Sequence, residues 1–379
     1  MFTFSTASRI VVGAGTAQQV PGLVERLGER VLVVHGHHSD PGTGPLAELA
    51  SPTLVPWTGE PTVEGLQHAV ESARAARPDV VVAWGGGSVI DLAKSIAVLL
   101  ASGHDVLDHL EVIGAGVPLP TTSVPVVAVP TTAGTGAEVT ANAPILSPEH
   151  GVKASLRSPA MLPALALVDP ELTLTCPPGV TASAGLDALT QCLEPLTSIK
   201  ANPITDALAR EGLGRASRGL RHAFADGGDL AARTDMSLAA LLSGMALANS
   251  KLGAVHGLAA PLGGATGAAH GALCAAVLAT TTEVNVRALE EREPDSPALA
   301  RYLEAARIMT GQRSASVADG VAWIRETVEL LGVPGLASLG LDPDEHERTA
   351  DAALAASSMA GNPIRLTRDE VLEILERSS

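Results

Sequence analysis

Residues 79–94 read Asp79-Val80-Val81-Val82-Ala83-Trp84-Gly85-Gly86-Gly87-Ser88-Val89-Ile90-Asp91-Leu92-Ala93-Lys94. An unbroken apolar run, then glycines, then a resumption of apolar residues predicts a buried strand, a tight turn and a helix. The same kind of strand recurs at Arg30–Gly36, Thr53–Trp57 and Val124–Val129, with a shorter one at Arg9–Gly13. Between them lie helical stretches, one of which starts at Pro61-Thr62-Val63-Glu64 and runs through Ala76, with Thr62 as its cap. Strands that are apolar on both faces and alternate with helices imply a parallel sheet covered on each side. The expected fold is therefore an α/β N-terminal domain.

Ligands of such sheets bind at the carboxyl ends of the strands, where a loop leads into a helix. Two junctions here are rich in glycine: residues 85–94, and 130–140, which read Pro-Thr-Thr-Ala-Gly-Thr-Gly-Ala-Glu-Val-Thr. Glycine lets the backbone approach a diphosphate, a helix start offers free N–H groups, and threonine hydroxyls add donors. Together the two loops point to nucleotide phosphate. A third candidate, Gly13-Ala14-Gly15-Thr16-Ala17-Gln18, has glutamine where a dinucleotide fingerprint needs its third glycine, and it reads as an ordinary turn.

After Leu167-Val168-Asp169-Pro170 the pattern changes, and Pro177-Pro178-Gly179 breaks the chain. Helical periodicity follows, as at Val317–Leu331 and Arg368–Arg377, so the domains are expected to be 1–178 (dinucleotide-binding) and 179–379 (all-helical). Glu290–Pro297, charged and proline-containing, reads as an exposed loop. Within the helical half, Asp187 and Gln191 are four apart and share a helix face. His256 and His270 lie in an Ala/Gly/Leu-rich region, where an imidazole needs a partner. One carboxylate, one amide and two imidazoles could converge on a cation or on a substrate carbonyl.

The totals narrow the function. The 379 residues suffice for two cores, and 46% hydrophobic against 17% charged residues marks a globular chain. Aromatics at 2% leave little for base stacking, and a net charge of −16 opposes nucleic acid and anionic membranes. Cys176, Cys192 and Cys274 are odd in number and widely spaced, as in reduced thiols. The start lacks a basic segment followed by an apolar run, and Leu238–Ala248 is too short to span a bilayer. The expected location is the cytoplasm. The expected assembly is a homodimer, the commonest one.

At these residues the chain resembles the iron-containing (group III) alcohol dehydrogenase family, including its maleylacetate reductase relatives. The likeness runs through Gly59-Glu60-Pro61-Thr62, residues 85–94 and 130–140, Lys153, Val168-Asp169-Pro170-Glu171-Leu172 and Gly185-Leu186-Asp187-Ala188-Leu189. It continues through Ala201-Asn202-Pro203, both histidine segments and Gly361-Asn362-Pro363. It implies hydride transfer between NAD or NADP and a small alcohol, aldehyde or ketone, in a cleft between an α/β and an all-helical domain. By that pattern Gly85, Gly86, Gly87, Ser88 and Asp91 take the coenzyme diphosphate side, Thr131, Thr132 and Thr135 line the second loop, and Lys153 sits near the ribose and nicotinamide. Asp187, His256 and His270 are the implied metal ligands and, with Lys153, the implied catalytic groups.

Two positions depart from the pattern. Gln191 stands where the family has a ligating histidine, and Ala260 where it has a further histidine. An amide oxygen is a weaker donor to iron or zinc than imidazole nitrogen, although Gln191 could still complete a divalent metal set. The alternative is a metal-free site in which Gln191, His256 and His270 hydrogen-bond the substrate directly. Without a histidine at 260, the usual proton route to solvent is interrupted.

Coenzyme choice turns on Val34-His35-Gly36-His37-His38-Ser39-Asp40. An acidic residue directly after the strand would hold the ribose 2′-hydroxyl and repel a 2′-phosphate. Gly36 occupies that place, so His37, His38 and Ser39 permit NADP, while Asp40 keeps NAD open. Two other readings compete with a dehydrogenase of simple carbonyls. A maleylacetate-type keto-acid reductase needs cationic groups for carboxylates, and the apolar helical stretch has no arginine cluster. A nucleotide-binding protein with a decayed redox site would account for the missing histidines. A lyase resembling dehydroquinate synthase shares the architecture but would need more basic residues for a phosphorylated substrate.

Overall fold

The structure is a computed structural model describing residues 1–379. The chain divides into a sheet unit, Ser5–Thr132 with Gly136–Leu174, and a helical unit, Thr175–Ser379 with Met1–Phe4 and Ala133–Thr135. The units part at Leu174, four residues before the expected 178, and the tip of the second glycine loop groups with the helices.

In the sheet unit, β1 (Ile10–Val12), β2 (Val31–Gly36), β3 (Thr53–Trp57), β4 (Val80–Gly85), β5 (Val126–Pro130) and β8 (Leu165–Val168) form one sheet. Their order is β1-β8-β5-β4-β2-β3, and every neighbouring pair is parallel. The inner strands β2, β4, β5 and β8 read as continuous apolar runs because successive residues enter different cores, whereas Thr53–Trp57, expected to be buried like them, is a largely exposed edge strand. Leu32, Val34, Val81 and Ala83 pack with Leu66, Ile90 and Ile96 of the Val63–Ala76 and Gly87–Leu99 helices. Val31, Val33, Val80 and Val82 pack on the other side with Val20, Val24 and Leu46. Thr62 caps its helix as expected, its hydroxyl accepting from Gly65 N–H at 3.1 Å.

The Gly13–Gln18 segment is a turn whose N–H groups are already taken. Asp169 accepts from Gly15 at 3.1 Å and from Ala17 at 2.9 Å, so a carboxylate of the protein fills the anion position. One element lies outside the sequence expectation: β6 (Asn142–Ser147) and β7 (Val152–Arg157) form an antiparallel hairpin apart from the main sheet. Pro144 and the short alternation of buried residues conceal it from a search for continuous apolar runs.

The helical unit contains Pro178–Thr197, Pro203–Ala225, Leu230–Asn249, Ala254–Thr266, His270–Arg292, Pro297–Thr310, Val317–Leu330, His346–Ala355 and Arg368–Arg377. Its core is mostly Ala, Leu and Val, with Cys192, Met236 and Tyr302 among the few other types. The His270–Arg292 helix is long and apolar enough to cross a membrane, but 78% of that window is buried inside the protein, as in a core helix. It also corrects the expected loop at 290–297: Glu290–Arg292 complete its last turn, and only 293–296 connect to the next helix.

Lys94 ties the first glycine junction to the second. Its ammonium is fully buried and reaches Asp91 at 2.8 Å, Ala137 O at 3.0 Å, Thr140 Oγ1 at 3.1 Å and Asn142 O at 2.6 Å. Beside it, burial pushes the Glu138 carboxyl up to about 7, more than its own backbone N–H and Lys94 lower it. Removing one partner of a buried ion pair leaves an uncompensated charge. Lys94→Met is therefore expected to destabilise the fold by about 3–5 kcal/mol in urea unfolding, and an unchanged midpoint would contradict this tether. Glu138 binds its proton more tightly folded than unfolded. Its contribution is thus full below its ordinary value of 4.5 and lost as pH rises through about 7. Glu138→Gln, which cannot ionise, should gain stability over the parent chain as pH rises between about 4.5 and about 7. A gap that stays constant across that range would show that Glu138 does not titrate there.

Candidate active site

The first glycine junction is built for an anion. The Gly87–Leu99 helix begins directly after β4, and no side chain caps its first turn, where Val89 N–H already bonds Gly86 O at 3.0 Å. Glycine is required here by close packing. A Cβ on Gly85 would lie 2.7 Å from Val89, and one on Gly86 would lie 3.2 Å from Thr132 Oγ1. Gly86, Gly87, Ser88, Thr131 and Thr132 are all partly exposed, and Thr132 stands over Gly86. Gly36 ends β2 next to this loop, where its Cβ would be 3.9 Å from Gly85 Cα. Ser39 closes a turn onto Gly36 at 3.1 Å, and Asp40 accepts from Gly42 N–H at 2.9 Å, which commits its carboxylate locally.

The remaining expected coenzyme residues are placed differently. Asp91 pairs with Lys94; burial raises its pKa, more than Lys94 lowers it. Lys153, on β7, pairs with Glu60 at 3.0 Å and is mostly buried. Thr135 is exposed and belongs to the helical unit. Next to it, Gly134 packs so tightly on Ala184 that a Cβ would come within 2.7 Å.

The second group of expected residues meets inside the helical unit. Asp187, Gln191 and Glu194 occupy one face of the Pro178–Thr197 helix, spaced at one and nearly two turns. His256 lies in the first turn of Ala254–Thr266, and His270 opens His270–Arg292. Gly271 brings that last helix into backbone contact with the first, since a Cβ there would fall 2.3 Å from Ser183 O. As a result His270 Nε2 comes within 3.8 Å of Asp187 Oδ1, and His256 Nε2 within 3.3 Å of the same oxygen.

Glu194, to which no role was assigned from sequence, fixes the orientation of His256. Its Oε1 accepts from Val255 N–H at 2.7 Å, and its Oε2 lies 2.7 Å from His256 Nδ1. Asn362, in the Gly361-Asn362-Pro363 motif, caps the same helix by accepting from Ala254 N–H at 3.0 Å. With the Nδ1 proton directed at Glu194, a neutral His256 presents a lone pair at Nε2. That atom faces Asp187 Oδ1, which is also a lone-pair donor, and both are buried without a hydrogen-bond partner. Such an arrangement needs a cation or an extra proton between the two atoms.

Gln191 does not direct its oxygen at this point. Its amide nitrogen donates to Asp187 Oδ2 at 2.9 Å, and its Oε1 accepts from Ser243 at 3.0 Å. An ionised carboxylate can only accept, so the amide nitrogen must face Asp187. Gln191 therefore holds Asp187 in place, in contrast to the ligand role expected from sequence. The fourth donor beside Asp187, His256 and His270 is the thiol of Cys274, and their ligand atoms all lie within 4.8 Å of one another. Cys274 follows His270 by one helical turn, a spacing visible in the sequence once His270 is considered.

Charge in this group is shared. Burial alone would raise Asp187, but His256 and His270 outweigh it and lower its pKa. Burial opposes protonation of His256, yet Cys274, Asp187 and Glu194 together raise it well above its ordinary range. His270 is also raised, chiefly by Cys274. Oxygen, nitrogen and sulfur donors around a shared point fit a transition-metal ion such as zinc or iron.

Known proteins resemble both parts of the chain. Residues 7–170 match the model of the iron-containing alcohol dehydrogenases, and residues 181–379 match that of the C-terminal domain of the same family. A choline dehydrogenase of Bacillus subtilis is 38% identical over 285 residues, 75% of this chain and 69% of that one. A 4-hydroxybutyrate dehydrogenase of Cupriavidus necator is 34% identical over 324 residues, 84% of this chain and 82% of that one. Among solved structures, a 1,3-propanediol oxidoreductase superposes with a TM-score of 0.90 at 28% identity, covering 100% of both chains. A sulfoacetaldehyde reductase of Bifidobacterium kashiwanohense, in complex with NAD+, gives 0.86 at 26% identity over 100% of this chain and 98% of that one. The chain belongs to the iron-containing alcohol dehydrogenase family.

Proposed function

We propose that this chain is a cytoplasmic NAD(P)-dependent oxidoreductase that interconverts a small alcohol with its aldehyde or ketone. The observation that carries the reading is the buried, unpartnered pair of Asp187 Oδ1 and His256 Nε2, 3.3 Å apart. Asp187, His256 and His270 would hold a divalent metal, which when bound supplies Lewis-acid polarisation of the carbonyl. The nicotinamide supplies or takes the hydride. The protein's own groups prepare the site. Glu194 fixes the His256 tautomer so that Nε2 points at Asp187, and Gln191 fixes the carboxylate from its other oxygen. Burial of Asp187, His256 and Cys274 excludes water, while His270, with 31% of its side chain exposed, faces the accessible side.

On the sheet unit, the uncapped Gly87 helix and the Thr131-Thr132 loop are the proposed seat of the coenzyme diphosphate. Names of the relatives, which act on alcohols or aldehydes of diverse polarity, support the reaction class and leave the substrate open.

In assays with a panel of simple aldehydes and added zinc or iron, the protein is expected to oxidise NADH or NADPH. Asp187→Ala should lower kcat/KM by about 100-fold or more, as loss of a Lewis acid's anchor requires. A variant as fast as the parent chain would remove Asp187 from the chemistry. Gly36 places no acidic group beside the glycine loop, and Asp40 caps its own turn. Both coenzymes should therefore be used with kcat/KM values within about tenfold of each other, about 1.4 kcal/mol. Strict use of NADH alone would show that another residue excludes the 2′-phosphate.

A further inference from the structure

We infer that Cys274 is itself a ligand of the metal, its thiolate supplying the fourth donor that Gln191 cannot. The inference rests on the metal-dependent reading above and specifies the donor set for this chain: one carboxylate, two imidazoles and one thiolate.

Three observations carry it. First, Gln191 is fully engaged, its nitrogen on Asp187 at 2.9 Å and its oxygen on Ser243 at 3.0 Å. Turning its oxygen inward would break both contacts and set two acceptors against each other. Second, the separations match a single centre. A tetrahedral ion with bonds of about 2.0–2.1 Å to nitrogen or oxygen and about 2.3 Å to sulfur sets neighbouring donors roughly 3.3–3.6 Å apart. The structure gives 3.3 Å from His256 Nε2 to Asp187 Oδ1 and 3.8 Å from His270 Nε2 to that oxygen. Cys274 Sγ is 3.7 Å from His270 Nε2. Third, Cys274 differs from the other buried cysteine. Cys192 Sγ packs against Gly212 in the helical core, where a buried thiol acts as a small hydrophobe. Cys274 is also fully buried, but its Sγ lies among the imidazoles and Asp187, within 4.8 Å of their ligand atoms.

On ligation the thiol proton leaves to solvent and the thiolate lone pair forms the metal–sulfur bond; nothing is oxidised or reduced. With Asp187 and Cys274 both anionic, the donors carry two negative charges and neutralise a divalent ion. A thiolate in the set also favours zinc or cobalt over harder cations.

The test strips the purified full-length protein of metal with a chelator, adds one equivalent of Co²⁺, and records the absorption spectrum. The parent chain should show an intense near-ultraviolet thiolate-to-cobalt charge-transfer band together with the weaker visible bands of bound cobalt. Cys274→Ser should lose the charge-transfer band and bind cobalt at least about tenfold more weakly, while Cys176→Ser should leave both unchanged. If Cys274→Ser does not fold, the band in the parent chain and in Cys176→Ser decides the matter, because Cys192 faces the core. Visible bands without charge transfer in the parent chain, or a charge-transfer band that survives in Cys274→Ser, overturns the thiolate ligand and leaves the metal-dependent reading standing. Failure of the parent chain to bind cobalt overturns both.

Discussion

A single imidazole held between two carboxylates sets the chemistry of the helical unit. His256 has Glu194 at 2.7 Å on Nδ1 and Asp187 at 3.3 Å on Nε2. A neutral ring has one proton to give, and Glu194 takes it. What remains is two buried acceptors facing each other, which only positive charge can stabilise. The raised pKa of His256 and the lowered pKa of Asp187 express the same demand in the absence of an ion. Gln191, Ser243, Asn362 and the glycines at 253 and 271 all serve this contact, by orienting its members or by letting helices approach closely enough to form it.

The sheet unit meets a different constraint. Its inner strands β2, β4, β5 and β8 are buried on both faces, so the polar groups that bind a ligand must come from the loops at their ends. Gly85 and Gly86 are small because Val89 and Thr132 occupy the space a side chain would need. Lys94 then fixes the helix that follows to residues 137–142 through its bonds to Ala137 O, Thr140 and Asn142 O. Beside these loops Asp91 is paired with Lys94, and Lys153 with Glu60.

Much of this was legible in the chain. Unbroken apolar runs gave the strands of the parallel sheet, Thr62 announced its helix, and the spacing of Asp187 and Gln191 placed both on one face. Legibility failed where long-range contacts decide. The β6–β7 hairpin is hidden by Pro144 and by burial that alternates instead of running on. Nothing local shows that Gln191 turns its oxygen to Ser243, because Ser243 is 52 positions away and on another helix. Glu194 and Cys274 did leave a signal, each at helical spacing from a residue already singled out. Their chemistry appears only when Gly271 and Gly253 bring the three helices together.

The most direct test is anomalous diffraction from crystals of the zinc-loaded protein, collected above and below the zinc edge. A single strong anomalous peak bonded to Asp187 Oδ1 and His256 Nε2, at about 2.0–2.2 Å, is the predicted result. A map with no peak there, and with His256 bridging Glu194 and Asp187 through its own two protons, would contradict the account.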